Sequence, residues 1–403
     1  MTKKRILIVT SSLQAAGAEK YAFELAKSFD KRNFDVELLT TNDVYSNKTF
    51  PHIYFPILKS LGFKIHTIFN KPKEWVIQVP KFITRNIFLL KLFNYPFFIV
   101  NKCRIDILYQ QKIRNLFKKF DAILLIDALH YRKLKDYFPE NIYIETHLMC
   151  HQVQFGESFD IYEGYSRVGK NNFVYIDAIQ LQEIRNKKIA VQNSFYFPLS
   201  LEIPQINRNS TAFYNRSHLQ KNIAVFTRIS SMKPLEKIID SFELLWQLDS
   251  TVHLKLFGFI QDLEYYKSLI KLIKVKGLVK NISFEGHSAD MMGSINKHDI
   301  LLLWVPAIYN FVGYAATEVC MHKVPIILNN IDKSCETLPL NDSEIIPPYF
   351  YSEQGLAQFT FSILQNEKDL EKLRDKEYEY YVDNNNMTNN IKKYQDYLQL
   401  KLI

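Results

Sequence analysis

The sequence predicts an α/β protein with two doubly wound parallel sheets, and three observations predict it. Short apolar, β-branched runs alternate with segments of helical spacing along most of the chain, the pattern of repeated strand–helix units. At 403 residues the chain exceeds one ordinary hydrophobic core. A polar stretch from Pro198 to Asn222, holding Pro204, Asn207, Asn209 and Ser210, has linker composition and separates two series of strands. The expected division is residues 1–200, 201–385 and a closing segment 386–403.

RILIVT, Arg5 to Thr10, reads as a buried first strand. A small-residue loop bearing Gly17 follows, then a helix from about Ala18 to Phe29 with Tyr21, Leu25 and Phe29 on one face. DVELLTT, Asp35 to Thr41, completes a right-handed βαβ unit. Residues 43–120 read as an insertion of loops and basic helices. DAILLID and NIYIET, at Asp121 to Asp127 and Asn141 to Thr146, resume the parallel pattern. They deliver Asp127 and His130 at one strand end and Glu145, His147 and His151 at the next. Shorter strands are expected at Phe173 to Ile176 and Lys188 to Val191. The second series has strands at Asn222 to Thr227, Val252 to Phe257, Ile282 to Phe284, Ile300 to Trp304 and Pro325 to Leu328. Helices are expected near Leu235 to Leu248, Asp262 to Val275, Ala289 to Lys297 and Tyr314 to His322. Ile391, Tyr394, Leu398 and Leu402 give the closing segment helical spacing.

Composition narrows the classes. A 47% hydrophobic content with 23% charged residues is that of a globular protein. Cys103, Cys150, Cys320 and Cys335 have no CxxC spacing, which excludes a zinc motif or disulfide scaffold and fits packing residues in a reducing compartment. The apolar run Phe82 to Val100 is broken by Arg85 and Lys91, so no transmembrane helix and no signal peptide are expected. The expected location is cytoplasmic, peripheral on the inner face of the membrane. The net charge of +9 is uneven, because residues 1–120 hold 21 Lys or Arg against 8 Asp or Glu. Residues 59–120 hold 13 against 2, interleaved with phenylalanines, a composition suited to anionic lipid headgroups. A solvated basic face over an ordinary core is the alternative. No nucleic-acid motif accompanies the charge, so nucleic acid is not the expected partner.

The chemistry points to Trp304 to Leu328, a strand, a glycine-bearing turn, a helix carrying Glu318, and another strand. Gly313 lets backbone approach a ligand, and the first N–H groups of the next helix suit a phosphate. Arg228 and Lys233 follow the first strand of the second series, and both would neutralise a diphosphate, Arg bidentately and Lys as a point charge. Gly258 and Gly286, the latter followed by His287, end neighbouring strands and leave backbone room for a base or ribose. No GxGxxG fingerprint is present.

Taken together, the Gly17 loop, Arg228-x4-Lys233, Phe284-Glu285-Gly286-His287, Gly313, Glu318 and Val324-Pro325-Ile326 resemble the retaining glycosyltransferases of the GT-B fold, specifically glycosyltransferase family 4. The resemblance implies two facing Rossmann-like domains with a cleft between them. It places an acceptor in the N-terminal domain, a nucleotide sugar in the C-terminal one, and a last helix crossing back. By this resemblance Arg228 and Lys233 contact the donor diphosphate, Glu318 the ribose, and Val312, Gly313, Tyr314 and Ala315 the phosphates through their N–H groups. Gly17 faces them. The family pairs two glutamates seven residues apart, and Asn310 stands where the first is expected. Lys323 replaces a glycine before the Pro-Ile strand. Asp127 lies nearest the position of an N-domain histidine, with His130 and His147 as substitutes. The implied reaction moves a sugar to a glycan, lipid-linked or protein-linked acceptor in cell-surface polysaccharide or glycoconjugate synthesis. No cofactor or metal is expected. Asn310 and Lys323 keep open a catalytically silent partner subunit of another glycosyltransferase, and the architecture keeps open a sugar-nucleotide epimerase.

Overall fold

The computed structural model describes residues 2–14, 17–41, 52–67, 110–152, 159–204, 221–231, 233, 235–288, 290–307, 312–330 and 347–402. Most of the basic stretch, the linker residues 205–220, Asn310, Cys103 and Cys335 lie outside them. The chain forms two compact units, Met1–Pro198 with Thr388–Ile403, and Leu199–Met387.

The first unit holds a seven-stranded parallel sheet. Its strands are β1 Lys4–Thr10, β2 Phe34–Thr40, β3 Lys64–Thr67, β4 Ala122–Ile126, β5 Tyr143–Leu148, β6 Asn172–Tyr175 and β7 Asn193–Tyr196, in the order β3-β2-β1-β4-β5-β6-β7. Helices cover both faces of such a sheet, which is why β1 and β4 are near-continuous apolar runs. On one face Leu7, Val9, Leu39, Ile123 and Leu125 pack against Phe117, Phe120 and Leu134. Helix Gly17–Ser28 carries Glu19 in its first turn and Lys27 in its last, each charge opposing the nearer end of the helix dipole.

Two expectations are corrected here. The strand expected at Lys188 to Val191 does not form, because those residues close helix Ala178–Asn186. Lys188 takes φ +54, and the N–H groups of Lys187, Lys188 and Ile189 bond back to Glu183, Arg185 and Ile184. A left-handed cap therefore consumes the residues, and the strand starts at Asn193. Within the stretch read as loops and basic helices, Lys64–Thr67 is instead the edge strand β3, in parallel register with β2 from Glu37↔Lys64 to Thr40↔Thr67. The carboxylate of Glu37 anchors it, drawing in Arg5, Lys64 and His66.

The terminal helix Met387–Lys401 packs into this unit through a buried polar chain. Tyr21 Oη–H donates to His147 Nδ1 at 2.7 Å, His147 Nε2–H donates to Tyr394 Oη at 2.9 Å, and Tyr394 donates to Glu145. Tyr143 donates to the other oxygen of Glu145 at 2.8 Å. Every member is satisfied, so the network fixes the helix without leaving a buried polar group unpaired.

The second unit holds a six-stranded parallel sheet. Its strands are β8 Lys221–Phe226, β9 Val252–Phe257, β10 Ile282–Gly286, β11 Ile300–Ala307, β12 Ile326–Asn330 and β13 Tyr349–Phe350, in the order β10-β9-β8-β11-β12-β13. Its core centres on Phe242 and on Trp304, whose Nε1–H donates to Thr360 at 3.0 Å. Helices Glu353–Gln365 and Glu367–Asn384 complete the unit. Lys323 adopts φ +62, the left-handed conformation that a glycine takes without strain. Its ammonium lies 3.5 Å from Asp375 and 4.7 Å from the Tyr378 ring centre, so the side chain ties this turn to helix Glu367–Asn384. Glu377, wholly buried on the same helix, accepts from the Ile326 N–H at 2.8 Å and from the Cys320 thiol. Burial pushes its carboxyl well above the usual range, against the opposing effect of the two hydrogen bonds it accepts.

Candidate functional site

Because the strands of the second unit are all parallel, the residues following them share one edge, where ligands bind in open α/β sheets. β8 and β11 are hydrogen-bonded neighbours. Arg228, just after β8, and the start of helix Tyr314–Met321, the element that follows β11, therefore lie toward the same edge. Arg228 is exposed, with its backbone held on both sides: Thr227 N–H donates to Phe257 O at 2.9 Å and Ile229 N–H to Phe259 O at 3.1 Å. The Lys233 N–H donates to Ser230 O at 2.8 Å, and its carbonyl accepts from the Tyr265 hydroxyl at 3.1 Å.

Gly313 is the N-cap of helix Tyr314–Met321 and supplies no side-chain cap. Its carbonyl takes the N–H groups of Ala316 and Thr317, each at 3.1 Å. A Cβ built on Gly313 meets nothing within 4 Å, so the approach to the first helical turn is open. Val312 and Glu318 are half-buried, Ala315 is exposed and Tyr314 is buried. Gly286 has φ +79 and open space beyond it, while His287 is exposed with its ring edge-on to Phe259 at 6.4 Å. Glu285, just before Gly286 in the motif, is turned onto Lys255 at 3.2 Å and Ser283 at 2.6 Å, and those partners hold its carboxyl below the usual range against the opposing effect of burial.

Gly258 differs from the other glycines. A Cβ there would lie 1.8 Å from the carbonyl oxygen of Thr227, so the absence of a side chain lets two strand ends close on each other. Its N–H also donates to Gly286 O at 2.8 Å.

The corresponding edge of the first unit gathers groups from the ends of β1, β4 and β5. Asp127 follows β4 with φ +96, a strained conformation for a residue with a side chain. Its Oδ1 accepts the Leu129 N–H at 3.1 Å and its Oδ2 the Cys150 thiol at 3.1 Å. Burial raises its carboxyl above the ordinary value, the two hydrogen bonds oppose this, and the charge of Glu19 adds to the rise. Glu19 itself is buried, and its Oε1 accepts from Ser11 at 2.6 Å and Ser12 at 2.9 Å. Gly17 opens the same helix and is exposed, with open space around it. His130 is buried, its Nδ1 has no partner among the described residues, and burial, aided by Lys133, pushes its imidazole down to about 4. Both ring nitrogens of His147 serve the terminal-helix network. Sequence reasoning passed over Glu19 and read Cys150 as a packing residue, whereas its thiol donates to Asp127; for Glu19 the serine pair after a strand, followed by a glutamate in the first helical turn, was the available signal. Among the described residues no three His, Cys, Asp or Glu side chains are grouped to hold a metal ion.

Comparisons with known proteins agree with this architecture. Residues 208–380 match the family model described as glycosyl transferases group 1. No curated protein matches the sequence significantly. Among solved structures, Anabaena HepE in complex with UDP and glucose is similar at a TM-score of 0.68 and 14% identity, over 98% of this chain and 99% of that one. A variant of S. aureus TarM in complex with Fondaparinux, alpha-GlcNAc-glycerol and UDP gives 0.67 at 12% identity, over 98% and 99%. Sucrose-phosphate synthase from Thermosynechococcus elongatus gives 0.65 at 13% identity, over 99% of both chains. Fold and matched region define the class: a protein of the GT-B fold in which residues 208–380 match glycosyl transferases group 1.

Proposed function

We propose that the protein is a retaining glycosyltransferase resembling family 4, which takes a nucleotide sugar on its second unit and passes the sugar to a hydroxyl of a glycan, lipid-linked or protein-linked acceptor. The observation that carries this reading is the shared strand edge of the second unit, where an exposed arginine, an uncapped helix start and Glu318 follow neighbouring strands. In the reaction the bond from the anomeric carbon to the diphosphate breaks, one to the acceptor oxygen forms, and the hydroxyl proton leaves. Arg228, Lys233 and the N–H groups from Val312 to Ala315 stabilise the departing diphosphate, an electrostatic role worth roughly 3–4 kcal/mol for a single well-placed donor. Glu318 accepts from ribose hydroxyls. Asn310 hydrogen-bonds the donor sugar without the negative charge of a carboxylate. Asp127 takes the acceptor proton, a task that favours a carboxyl of raised proton affinity.

Calorimetry and transfer assays against UDP-, GDP- and ADP-linked sugars test this reading. Binding of one donor, with glycoside formed on adding acceptor, is expected. Absence of any nucleotide binding would favour the silent partner subunit, and conversion of the donor without acceptor would favour an epimerase.

A contact with an anionic membrane surface is favoured by one further observation. Ile53, Ile57 and Leu61, at the N-cap, middle and C-cap of helix Tyr54–Ser60, are all exposed, with exposed Lys59 beside them. No helix among the described residues is long and apolar enough to cross a membrane. Co-sedimentation with vesicles is expected to require anionic lipid and to weaken as salt rises. Binding indifferent to both would count against it.

A further inference from the structure

We propose that Tyr265 is a positioning residue for the nucleotide sugar: its hydroxyl ties the backbone at Lys233 and Leu235 to a second helix, and so fixes where the Lys233 ammonium meets the donor diphosphate. This role rests on the donor site proposed above.

Arg228 and Lys233 lie between β8 and helix Leu235–Leu248, and the backbone at each is held from one neighbouring stretch, the end of β9 and the start of helix Leu263–Val275. Beside Arg228 the ties are main-chain. The Ile229 carbonyl accepts the N–H groups of Gln261 at 3.0 Å and Asp262 at 3.2 Å, and the Ile229 N–H donates to Phe259 O at 3.1 Å. At the Lys233 end a side chain takes over. Tyr265 Oη accepts the Leu235 N–H at 2.7 Å, and its one proton is shared between the Lys233 carbonyl, at 3.1 Å, and the carboxylate of Glu236. Leu235 opens its helix, so its N–H has no intrahelical acceptor, and the phenol supplies one.

Tyr265 is itself well anchored. Its N–H donates to the Asp262 side chain at 3.0 Å, the N-cap of its helix, and its ring packs against the core of the second unit. Burial, reinforced by Glu236, raises the phenol above its ordinary value, so the hydroxyl keeps the proton it shares. A lysine carries its charge at the end of a long flexible stem, so the place of the ammonium depends on how firmly the backbone beneath it is held. Removing the phenol oxygen frees the Lys233 carbonyl and the Leu235 N–H together, while the ties at Ile229 remain. A tyrosine that only filled the core would give way to phenylalanine with no effect on Lys233.

Calorimetry of the full chain with UDP, GDP and ADP, in a double-mutant cycle of Tyr265→Phe and Lys233→Ala, separates these roles. Tyr265→Phe keeps the packed ring and loses one oxygen. It is expected to weaken whichever nucleoside diphosphate the wild type binds by about tenfold, the scale of a displaced charged contact. Lys233→Ala is expected to cost at least about as much, because it removes that contact outright. The double variant should bind within about twofold of Lys233→Ala alone, since the phenol acts through the lysine. Losses that instead multiply to about a hundredfold, as independent sites would give, overturn the proposal and leave the donor site standing. So does a Tyr265→Phe protein with wild-type affinity. A wild type that binds none of the three nucleotides sinks the donor site and this role with it.

Discussion

Arg228→Ala is expected to lower kcat/KM for the nucleotide sugar by roughly 10²–10³-fold, the loss typical of removing one preorganised charge donor from an acyl or phosphoryl leaving site. The arginine is exposed and its backbone is held by the neighbouring strand end, so the fold does not depend on its side chain. Thermal stability should therefore stay within about 0.5 kcal/mol of the wild type, as for most surface substitutions. The kinetic pattern separates the roles. Negative charge on the diphosphate grows as the glycosidic bond breaks, so the arginine binds the transition state better than the ground state, and kcat falls more than KM rises. Arg228→Lys should recover only part of the rate, because an ammonium is a point charge without the guanidinium fork. Glu318→Ala, acting on ribose hydroxyls that do not change during transfer, should mainly raise the donor KM, by about tenfold for one lost charged hydrogen bond. Steady-state rates within threefold of wild type for both alanine variants would remove the diphosphate assignment.

What was legible in the sequence was the pattern of burial. Strands covered on both faces need unbroken apolar runs, so β1, β4, β8, β9 and β11 announce themselves, and helices such as Leu235–Leu248 follow from their spacing. Less legible were places where one residue takes an unusual backbone conformation. Lys188 and Lys323 both adopt left-handed angles that local propensity does not favour for lysine, and each is held there by contacts distant in sequence or by the closing turn of a helix. β3 is four residues long and anchored by a carboxylate on the adjacent strand, which no periodicity announces.

Side-chain destinations were harder still. His147 lies near the carboxyl end of β5, the place expected of a catalytic histidine, yet both of its nitrogens serve Tyr21 and Tyr394, the second of these 247 residues away. Glu285 sits in a motif beside Gly286 but answers to Lys255 and Ser283 on the flank of the sheet. The bond from the Cys150 thiol to Asp127 depends on the ends of β4 and β5 meeting at one edge. Spacing alone does not reveal such a meeting, since the partners lie on separate elements.

Gly258→Ala is expected to destabilise the second unit by about 3 kcal/mol, at the upper end of what overpacking usually costs. The added methyl would lie 1.8 Å from the Thr227 carbonyl oxygen and 2.8 Å from its carbon, both backbone atoms. A flexible side chain could swing away, but this obstacle is itself fastened: Thr227 N–H is bonded to Phe257 O, and Gly258 N–H to Gly286 O. Relief therefore requires the ends of β8, β9 and β10 to part, and Arg228, whose Cα lies 3.5 Å from the added carbon, must move with them. For a unit of this size the loss corresponds to roughly 6–12 °C in the melting temperature, measurable by calorimetry on the ligand-free protein. Gly313→Ala provides the contrast, since its added methyl meets nothing within 4 Å and its φ of −72 suits alanine. That variant should melt near the wild-type temperature, so any loss of nucleotide affinity in it reports the ligand's need for space. Should Gly258→Ala instead keep the wild-type melting temperature and lose only nucleotide affinity, the glycine would be serving a ligand rather than the closure of the strand ends.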